Sequence, residues 1–228
     1  SRDTGVEESQ IRRAARVFAG SDAGAILLGS DGLDEKGKER IVDAVFNLAT
    51  ITGNIGRESG GIFPLFEGAN TVGARDMGAT PDQNGYGISG MINAMTAGNI
   101  KAAVVFADGV SESTSVLNGL PAALDKLDFL VVSAVLDSEI TKYADVVLPA
   151  ETYAEQTATV TNLERRVQLL RVTAEPRHDE RSGWRTICSI AQEMGSDDFS
   201  YESASGVFDE IVTKITKYGG LSHERLKN

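Results

Sequence analysis

The sequence has few of the residues that hold metals, and it has no long apolar run. Its one cysteine, Cys188, excludes an internal disulfide, a cysteine-ligated zinc site and an iron–sulfur cluster held by this chain alone. Its two histidines, His178 and His223, have no acidic or cysteine partner at ligand spacing, so neither is a convincing metal ligand or catalytic base. The longest apolar run, Ala102–Ala107, is far shorter than the roughly 18 residues that span a bilayer. We therefore expect no direct insertion into a membrane.

Basic side chains are scarce relative to acidic ones. The chain has 22 lysines and arginines against 33 aspartates and glutamates, which gives a net charge of -11. This balance disfavours nucleic acid or an anionic membrane surface as a partner. The 228 residues, 41% of them hydrophobic, fit one large domain or two small ones. Because the first residue is Ser1 and not methionine, we expect the chain to be cut from something longer.

Short apolar runs alternate with amphipathic stretches along most of the chain. We predict strands at 25–28, 102–107, 129–135 and 146–148, a hairpin at 157–172, and helices near 6–18, 36–50, 88–95, 113–118, 184–194 and 207–215. Strands that alternate with helices favour parallel βαβ units. The sequence therefore predicts an α/β fold of the Rossmann-like type, in which helices cover both faces of a mostly parallel sheet.

A long glycine-rich segment interrupts this alternation between Ile51 and Asp82. Ten of the 24 glycines fall between Gly53 and Gly90. Connections of this length are usually functional or disordered, whereas the composition alone favours a well-packed Ω-type loop. We predict that residues 1–52 end one α/β domain, 53–85 form a loop that crosses the carboxyl edge of the sheet, 86–220 form a second α/β domain, and 221–228 form a tail that frays.

Ligands of parallel sheets bind beyond the carboxyl ends of the strands. One predicted strand ends at Ala107, followed by Asp108, Gly109 and Val110; the next is followed by Leu136, Asp137 and Ser138. Neither stretch is a GxGxxG or Walker loop, so as motifs both are weak.

Three stretches, in this order, carry a resemblance to a known family: TGNIGRESGGIFPLFEGANTVGARDMGATPD, ADVVLPAETYAEQTATVTNLERRVQ and SGWRTICSIAQEMG. With TGVEESQIRRAARVFAG at the start, the chain resembles the large subunits of molybdopterin oxidoreductases nearly throughout its length to Gly195. These include formate dehydrogenases and the large iron–sulfur subunit of NADH-quinone oxidoreductase. The resemblance implies the carboxyl-terminal half of the molybdopterin domain, with the iron–sulfur clusters and the metal-ligating residue of the parent lying elsewhere.

Departures from the family pattern distinguish between its members. Formate-dehydrogenase-like enzymes place an arginine and a glutamine where this chain has Phe66 and Gly68, and an aspartate and a threonine for the guanine nucleotide where it has Ala134 and Ile140. Apolar groups at polar sites leave ligand groups unpaired, at roughly 1 to 3 kcal/mol each. The resemblance therefore favours a scaffold of the NADH-quinone oxidoreductase type, without a cofactor of its own, at the cytoplasmic side and peripheral to the membrane.

Two alternatives remain at this point. In the first, the chain is the cofactor-binding half of a molybdenum or tungsten enzyme such as a formate dehydrogenase, and molybdopterin guanine dinucleotide binds at six residues: Ala107, Asp108, Gly109, Asp137, Ser138 and Asn162. The second is a freestanding nucleotide-binding module, against which the absence of a phosphate motif counts.

The resemblance also implies partners for this chain. These would be the remainder of its own large subunit and other subunits of a respiratory complex. Because the stretch TNLERRVQ alternates and does not read as a solvated helix, we predict that Arg165 and Arg166 lie in an interface of such a complex.

Overall fold

The computed structural model describes residues 4–29, 35–66, 68–81, 85–107, 119–176 and 179–227. These residues form two compact units. The first comprises residues 1–71 with 162–166, and the second comprises 72–161 with 167–227 of the described chain. Parallel sheets in both units confirm the predicted α/β class.

The first unit is built on one parallel strand pair. Its elements are α1 (Glu8–Ala19), β1 (Ala25–Leu28), α2 (Glu35–Ile51) and β2 (Gly61–Pro64). Ala25 pairs with Gly61 and Leu28 with Pro64, so β1, α2 and β2 form a βαβ unit. The β1 bounds are those the apolar run predicts, and the inward face of α2 includes Ala49, which is fully buried.

A buried asparagine holds the end of α2 against the start of β1. Gly53, at φ +68°, follows the end of α2 in the left-handed conformation that glycine adopts readily. The next residue, Asn54, is 1% exposed, and its Oδ1 accepts a hydrogen bond from the Gly24 amide at 2.7 Å. A Cβ on Gly24 would come within 2.9 Å of the Asn54 side chain and 2.8 Å of the Phe18 ring. Glycine at position 24 therefore permits this close approach.

The second unit contains a three-stranded parallel sheet. Its strands are β3 (Ala102–Ala107), β4 (Phe129–Ala134) and β5 (Val146–Pro149), in the spatial order β3-β4-β5. The helices of this part of the chain are α3 (Thr71–Asp76), which begins at the boundary between the units, α4 (Ile88–Thr96), α5 (Leu120–Leu124), α6 (Gly183–Glu193) and α7 (Ala204–Lys214). An antiparallel hairpin of β6 (Ala158–Thr161) and β7 (Val167–Leu170) matches the predicted 157–172 hairpin.

One face of this sheet carries the main hydrophobic core. Leu130 and Val132 alternate with their outward neighbours on β4, and both are almost completely buried. Met95 of α4, Leu124 of α5 and the strand-end Ala107 pack into the same cluster. Ala134, the last residue of β4, belongs to the cluster as well, so the carboxyl ends of both strands are packed into this core.

Several predictions about local structure need correction. The glycine-rich segment includes a strand, β2, because its apolar Ile62 and Phe63 pair with β1. It also includes a helix, α3. The predicted helix at 113–118 lies outside the described residues. Whether the 53–85 segment crosses the carboxyl edge of the second sheet stays a prediction.

The carboxyl-terminal tail also differs from the expected frayed segment. Residues 225–227 form a 3-10 turn, and the carbonyl of Lys227 accepts a hydrogen bond from Arg171 Nη2 at 2.5 Å. This contact with the residue after β7 gives the tail a partner that its own sequence does not reveal. Within the described ranges, no helix has the length and apolar character needed to cross a membrane.

Candidate functional site

The candidate site is the carboxyl edge of the three-stranded sheet. The register places Ala107, Ala134 and Pro149 side by side as the last residues of β3, β4 and β5. The sequence predicts a ligand site beyond the first two of these strand ends, and the structure brings the two ends together. Asp108 and Gly109, which belong to the same prediction, lie outside the described residues.

A polar turn follows β4 at this edge. The Thr141 hydroxyl accepts a hydrogen bond from the Ser138 amide at 3.0 Å and lies 2.8 Å from the Ser138 carbonyl oxygen. The same hydroxyl is within hydrogen-bonding reach of Asp137 Oδ1. Thr141 thus forms hydrogen bonds to two of the predicted cofactor residues, Asp137 and Ser138. Thr141 itself was not among the residues predicted from the sequence. The signal for it was an aspartate followed four residues later by a threonine at the start of a short helical turn.

The hydroxyl group of Ser138 is buried and has no hydrogen-bond partner among the described residues. Buried hydroxyls are usually paired, because an unpaired one has lost its hydrogen bonds to water. Ser138 lies on the turn beyond the strand end, where ligands of such sheets bind. The turn therefore fits a ligand that offers a hydrogen-bonding group, as the nucleotide part of a molybdopterin cofactor does. Ser133, 0% exposed within β4, has a second hydroxyl for which the described part of the chain offers no hydrogen-bond partner.

Ala134 and Ile140 have a packing role in this chain. Both are buried members of the core cluster below the strand ends. Their apolar character is explained by this packing, and the polar groups of the edge come instead from Asp137, Ser138 and Thr141. The donor set consequently fits a polar ligand at the turn and does not fit one at the end of β4 itself.

Asn162 is engaged in the turn of the β6–β7 hairpin. Its Oδ1 accepts a hydrogen bond from the Arg166 amide at 2.9 Å, and its backbone carbonyl accepts one from the Arg165 amide at 2.9 Å. Arg165 has a φ of +62°, which the tight turn imposes. Both arginine side chains are exposed. Their predicted place in an interface and the predicted cofactor contact of Asn162 stay predictions.

Gly68 caps α3 through its backbone. Its carbonyl accepts hydrogen bonds from the Thr71 amide at 3.2 Å and from Thr71 Oγ1 at 3.0 Å. A Cβ at position 68 would come within 2.9 Å of Thr71 Oγ1. A glutamine at this position, as in formate-dehydrogenase-like enzymes, would therefore require Thr71 to move. The nearby Phe66 is half-buried.

A chain of hydrogen bonds, buried only at its Thr161 end, joins Asp76 of the glycine-rich segment to the carboxyl-terminal part of the second unit. Asp76, with 10% of its side chain exposed, accepts from Lys217 Nζ at 2.5 Å and from the Tyr218 hydroxyl at 3.1 Å. The Tyr218 hydroxyl also lies 2.7 Å from Thr161 Oγ1. Burial raises the pKa of Tyr218. These residues are far apart in the sequence, and no local pattern predicted their contact.

A cavity of about 480 Å³ opens beside the carboxyl end of β5. Its apolar side consists of Leu148, Pro149 and Ile190 of α6. Its polar side includes Arg181 and Thr186. Among the described residues no group of histidine, cysteine, aspartate and glutamate side chains could hold a metal. Cys188 of α6 is buried.

Comparison with known proteins identifies a family. A family model described as molybdopterin oxidoreductase matches residues 13–193. The F420-dependent formate dehydrogenase subunit alpha of Methanocaldococcus jannaschii is 32% identical over 100% of this chain and 37% of its own length. The F420-dependent formate dehydrogenase 2 subunit alpha of Methanococcus maripaludis is 34% identical over 98% of this chain and 37% of its own length. The chain thus spans little more than a third of these relatives.

A solved structure of the acetylene hydratase from Pelobacter acetylenicus is also similar. The match has a TM-score of 0.47 at 18% identity and covers 62% of this chain and 20% of that one.

Proposed function

This chain belongs to the molybdopterin oxidoreductase family, and on that premise we propose that it is part of the catalytic subunit of a formate-dehydrogenase-type enzyme. The observation that carries this proposal is the alignment of nearly the whole chain with two curated relatives named as formate dehydrogenase alpha subunits. The relatives favour this function over the scaffold that the apolar residues at the strand ends suggested. The activity belongs to the whole parent polypeptide, since the chain spans 37% of either relative.

The polar turn would hold the nucleotide part of the cofactor. Ser138 would satisfy its buried hydroxyl by bonding the ligand, and Asp137, exposed at the same edge, would accept from a ligand N–H group. When bound, molybdopterin supplies the redox-active metal centre of the parent enzyme. The role of this chain is to bind and orient the nucleotide end of the cofactor, and Thr141 holds the turn in the required conformation.

The glycine-rich segment indicates a difference from formate dehydrogenases at the substrate. The resemblance places an arginine and a glutamine beside the metal at the positions of Phe66 and Gly68. Because phenylalanine cannot pair with an anion and glycine has no side-chain donor, turnover of formate would need an anion-binding group from another part of the parent. We propose that this segment contributes shape and apolar contact to the substrate site, with no charge.

The second candidate function is a scaffold of the NADH-quinone oxidoreductase type, peripheral to the membrane at the cytoplasmic side. The burial of Ala134 and Ile140 in the core favours it, because neither position offers a ligand contact. In that case the parent would transfer electrons through iron–sulfur clusters held outside this chain.

Metal and pterin analysis of the purified parent polypeptide separates the two functions. The catalytic proposal expects stoichiometric molybdenum or tungsten together with guanine nucleotide. Iron without molybdenum, tungsten or pterin would reject it in favour of the scaffold. Formate oxidation, assayed separately, tests the substrate and does not bear on the cofactor.

The variant Ser138→Ala tests the assigned contact. Loss of one hydrogen bond should increase the rate at which guanine nucleotide is lost from the parent by about 2- to 10-fold. In the cofactor-free chain, the same change removes an unpaired buried hydroxyl and should leave the midpoint of unfolding unchanged or raised. Ser200→Ala, at an exposed serine, is the matched control for both measurements. Equal nucleotide loss from both variants would contradict the contact.

A further inference from the structure

A second cavity of the second unit is distinct from the candidate ligand site. It has a volume of about 280 Å³ and shares no lining residue with the cavity beside β5. Its walls come mainly from the segment after β5, the starts of α6 and α7, and the carboxyl-terminal tail, all of which belong to the second unit. This volume equals that of roughly nine water molecules, at about 30 Å³ each. The cavity is therefore large enough for a small organic molecule.

Charged groups of opposite sign line this cavity without pairing. Glu151 and Glu155 follow β5, and Arg185 lies in the first turn of α6. Within the described ranges, the guanidinium of Arg185 forms no salt bridge with either glutamate or with any other carboxylate. It lies instead over the ring of Trp184, 5.2 Å from the ring centroid. The cavity thus has a positive wall and a negative wall that do not neutralise each other directly.

Glu151 is the available acceptor of the negative wall. Oε2 of Glu155 already accepts hydrogen bonds from the amide and the hydroxyl of Thr152, both at 2.8 Å. The backbone of Glu151 is held by a 3.2 Å bond from its amide to the carbonyl of Arg181, whereas its carboxylate has no hydrogen-bond partner in the part of the chain that the structure describes. Glu151 is also half-buried. Its carboxylate can therefore gain from a ligand that donates hydrogen bonds.

Arg185 supplies the charge of the positive wall. His223 also lines the cavity, but burial lowers its pKa, so its imidazole is neutral at pH 7. The ring of Trp184 and the side chain of Val172 add apolar surface to the same cavity. A ligand that matches these walls has an anionic group, a cationic nitrogen and an apolar part.

We propose that this cavity binds a small zwitterion of the amino-acid type, with its ammonium group at Glu151, its carboxylate at Arg185 and an apolar side chain against Trp184. A guanidinium can form two parallel hydrogen bonds to a carboxylate, and an ammonium group donates to carboxylate oxygens. A ligand with one charge would leave one wall without a partner. The inference goes beyond the proposed function and requires no cofactor.

Calorimetric titration of the purified full-length parent with L-leucine tests the site. We expect saturable binding of one leucine per polypeptide. Isopentylamine and isocaproate keep the apolar chain of leucine and lack its carboxylate and its ammonium group, respectively. Each should bind at least about ten-fold more weakly than leucine, because each loses a charge-assisted contact. Absence of saturable leucine binding up to about 10 mM, or equal binding of either analogue, would overturn the proposal.

Two substitutions assign the contacts. Arg185→Gln should weaken leucine binding by about ten-fold or more and leave isopentylamine binding within about two-fold. Glu151→Gln should do the same to leucine and spare isocaproate. Arg13→Gln and Glu193→Gln, at exposed residues that do not line the cavity, are the matched controls and should bind leucine normally.

The pattern across variants and ligands separates contact from structural damage. If Arg185→Gln weakened leucine and isopentylamine equally, or if a control variant weakened leucine as much, the assigned contacts would be wrong and the proposal would fail. Leucine binding by a parent that contains no molybdenum or tungsten would support this site and reject the catalytic proposal. The failures of the two proposals are therefore distinguishable.

Discussion

Two leucines in comparable strands have opposite surroundings in the two units. Leu27 of β1 is 67% exposed, whereas Leu130 of β4 is 1% exposed. Both strands are parallel and both sequences are apolar, so strand chemistry does not explain the difference. Leu130 lies in a three-stranded sheet, with α4 and α5 contributing to one packed face, whereas the described residues of the first unit pair β1 with β2 alone. Burial thus depends on how many elements each unit brings to its sheet.

The comparison has a consequence for function. The second unit builds its own core and places a polar turn above it, so the candidate ligand site has a rigid base. The buried side chains among the described residues of the first unit are Leu28, Ala49 and Asn54, so its core is smaller. The candidate ligand site therefore lies on the unit that has the larger packed core.

The largest expected effect is the loss of a core leucine in the second unit. Leu130→Ala should lower the free energy of unfolding by about 2 to 5 kcal/mol, because it leaves a cavity in a packed cluster. Leu27→Ala, at an exposed site, should change it by no more than about 0.5 kcal/mol. The single tryptophan, Trp184, lies in the second unit, so its fluorescence during denaturant unfolding reports that transition. Equal shifts for the two variants would remove the contrast between the units.

A smaller effect is expected from the buried asparagine of the first unit. Asn54→Ala leaves the Gly24 amide without its acceptor, at a cost of about 1 to 3 kcal/mol to that unit. Hydrogen exchange of the β1 and β2 amides should accelerate, while the unfolding of the second unit followed by Trp184 stays unchanged. Asn47→Ala, at an exposed asparagine of α2, is the matched control. A shift of the Trp184 transition in Asn54→Ala would show that the two units unfold together.

The smallest expected effect concerns the pH dependence of the second unit. Partial burial against Phe208, at a ring distance of 5.2 Å, lowers the pKa of His223, and the positive charge of Lys227 adds to this while Asp209 opposes it. The unfolded chain therefore binds a proton at a higher pH than the folded chain. The stability that His223 contributes should be present above its unfolded pKa of about 6.5 and lost as the pH falls below it.

The measurement for His223 is the Trp184 unfolding midpoint between pH 7.5 and pH 5. His223→Gln, which cannot titrate, should lose less stability over this range than the unsubstituted chain. A steeper loss in His223→Gln would contradict the sign of the pKa shift.

Much of the local structure could be predicted from apolar patterns. The bounds of β1 and β3 are those of the apolar runs, since short runs closed by glycine or polar residues define buried strands. β2 was missed because Gly61–Pro64 combines a glycine and a proline with only two strand-forming residues, so its pairing with β1 decides its conformation. The order of the tail was missed because it depends on a contact with Arg171, which joins residues 56 positions apart and leaves no local pattern.

The composition of the candidate site was predicted only in part. The strand ends and the residues Asp137 and Ser138 follow from the α/β alternation, because ligands bind beyond the carboxyl ends of parallel strands. The motif stretches likewise identify the molybdopterin oxidoreductase family from the sequence alone, and the family match confirms it. Local periodicity and motif order are properties of neighbouring residues, which the chain carries before it folds.

Only the tertiary structure decided which polar groups the site retains. Ala134 and Ile140 face the core beneath the edge, while Thr141 bonds to Asp137 and Ser138. The Ser138 hydroxyl is left buried, with no partner in the described ranges. The chain from Asp76 through Tyr218 to Thr161 and the contact of Asn54 with Gly24 were equally invisible in the sequence. In each case the face that a side chain presents depends on the register and packing of segments distant in the chain, and no local pattern encodes that register.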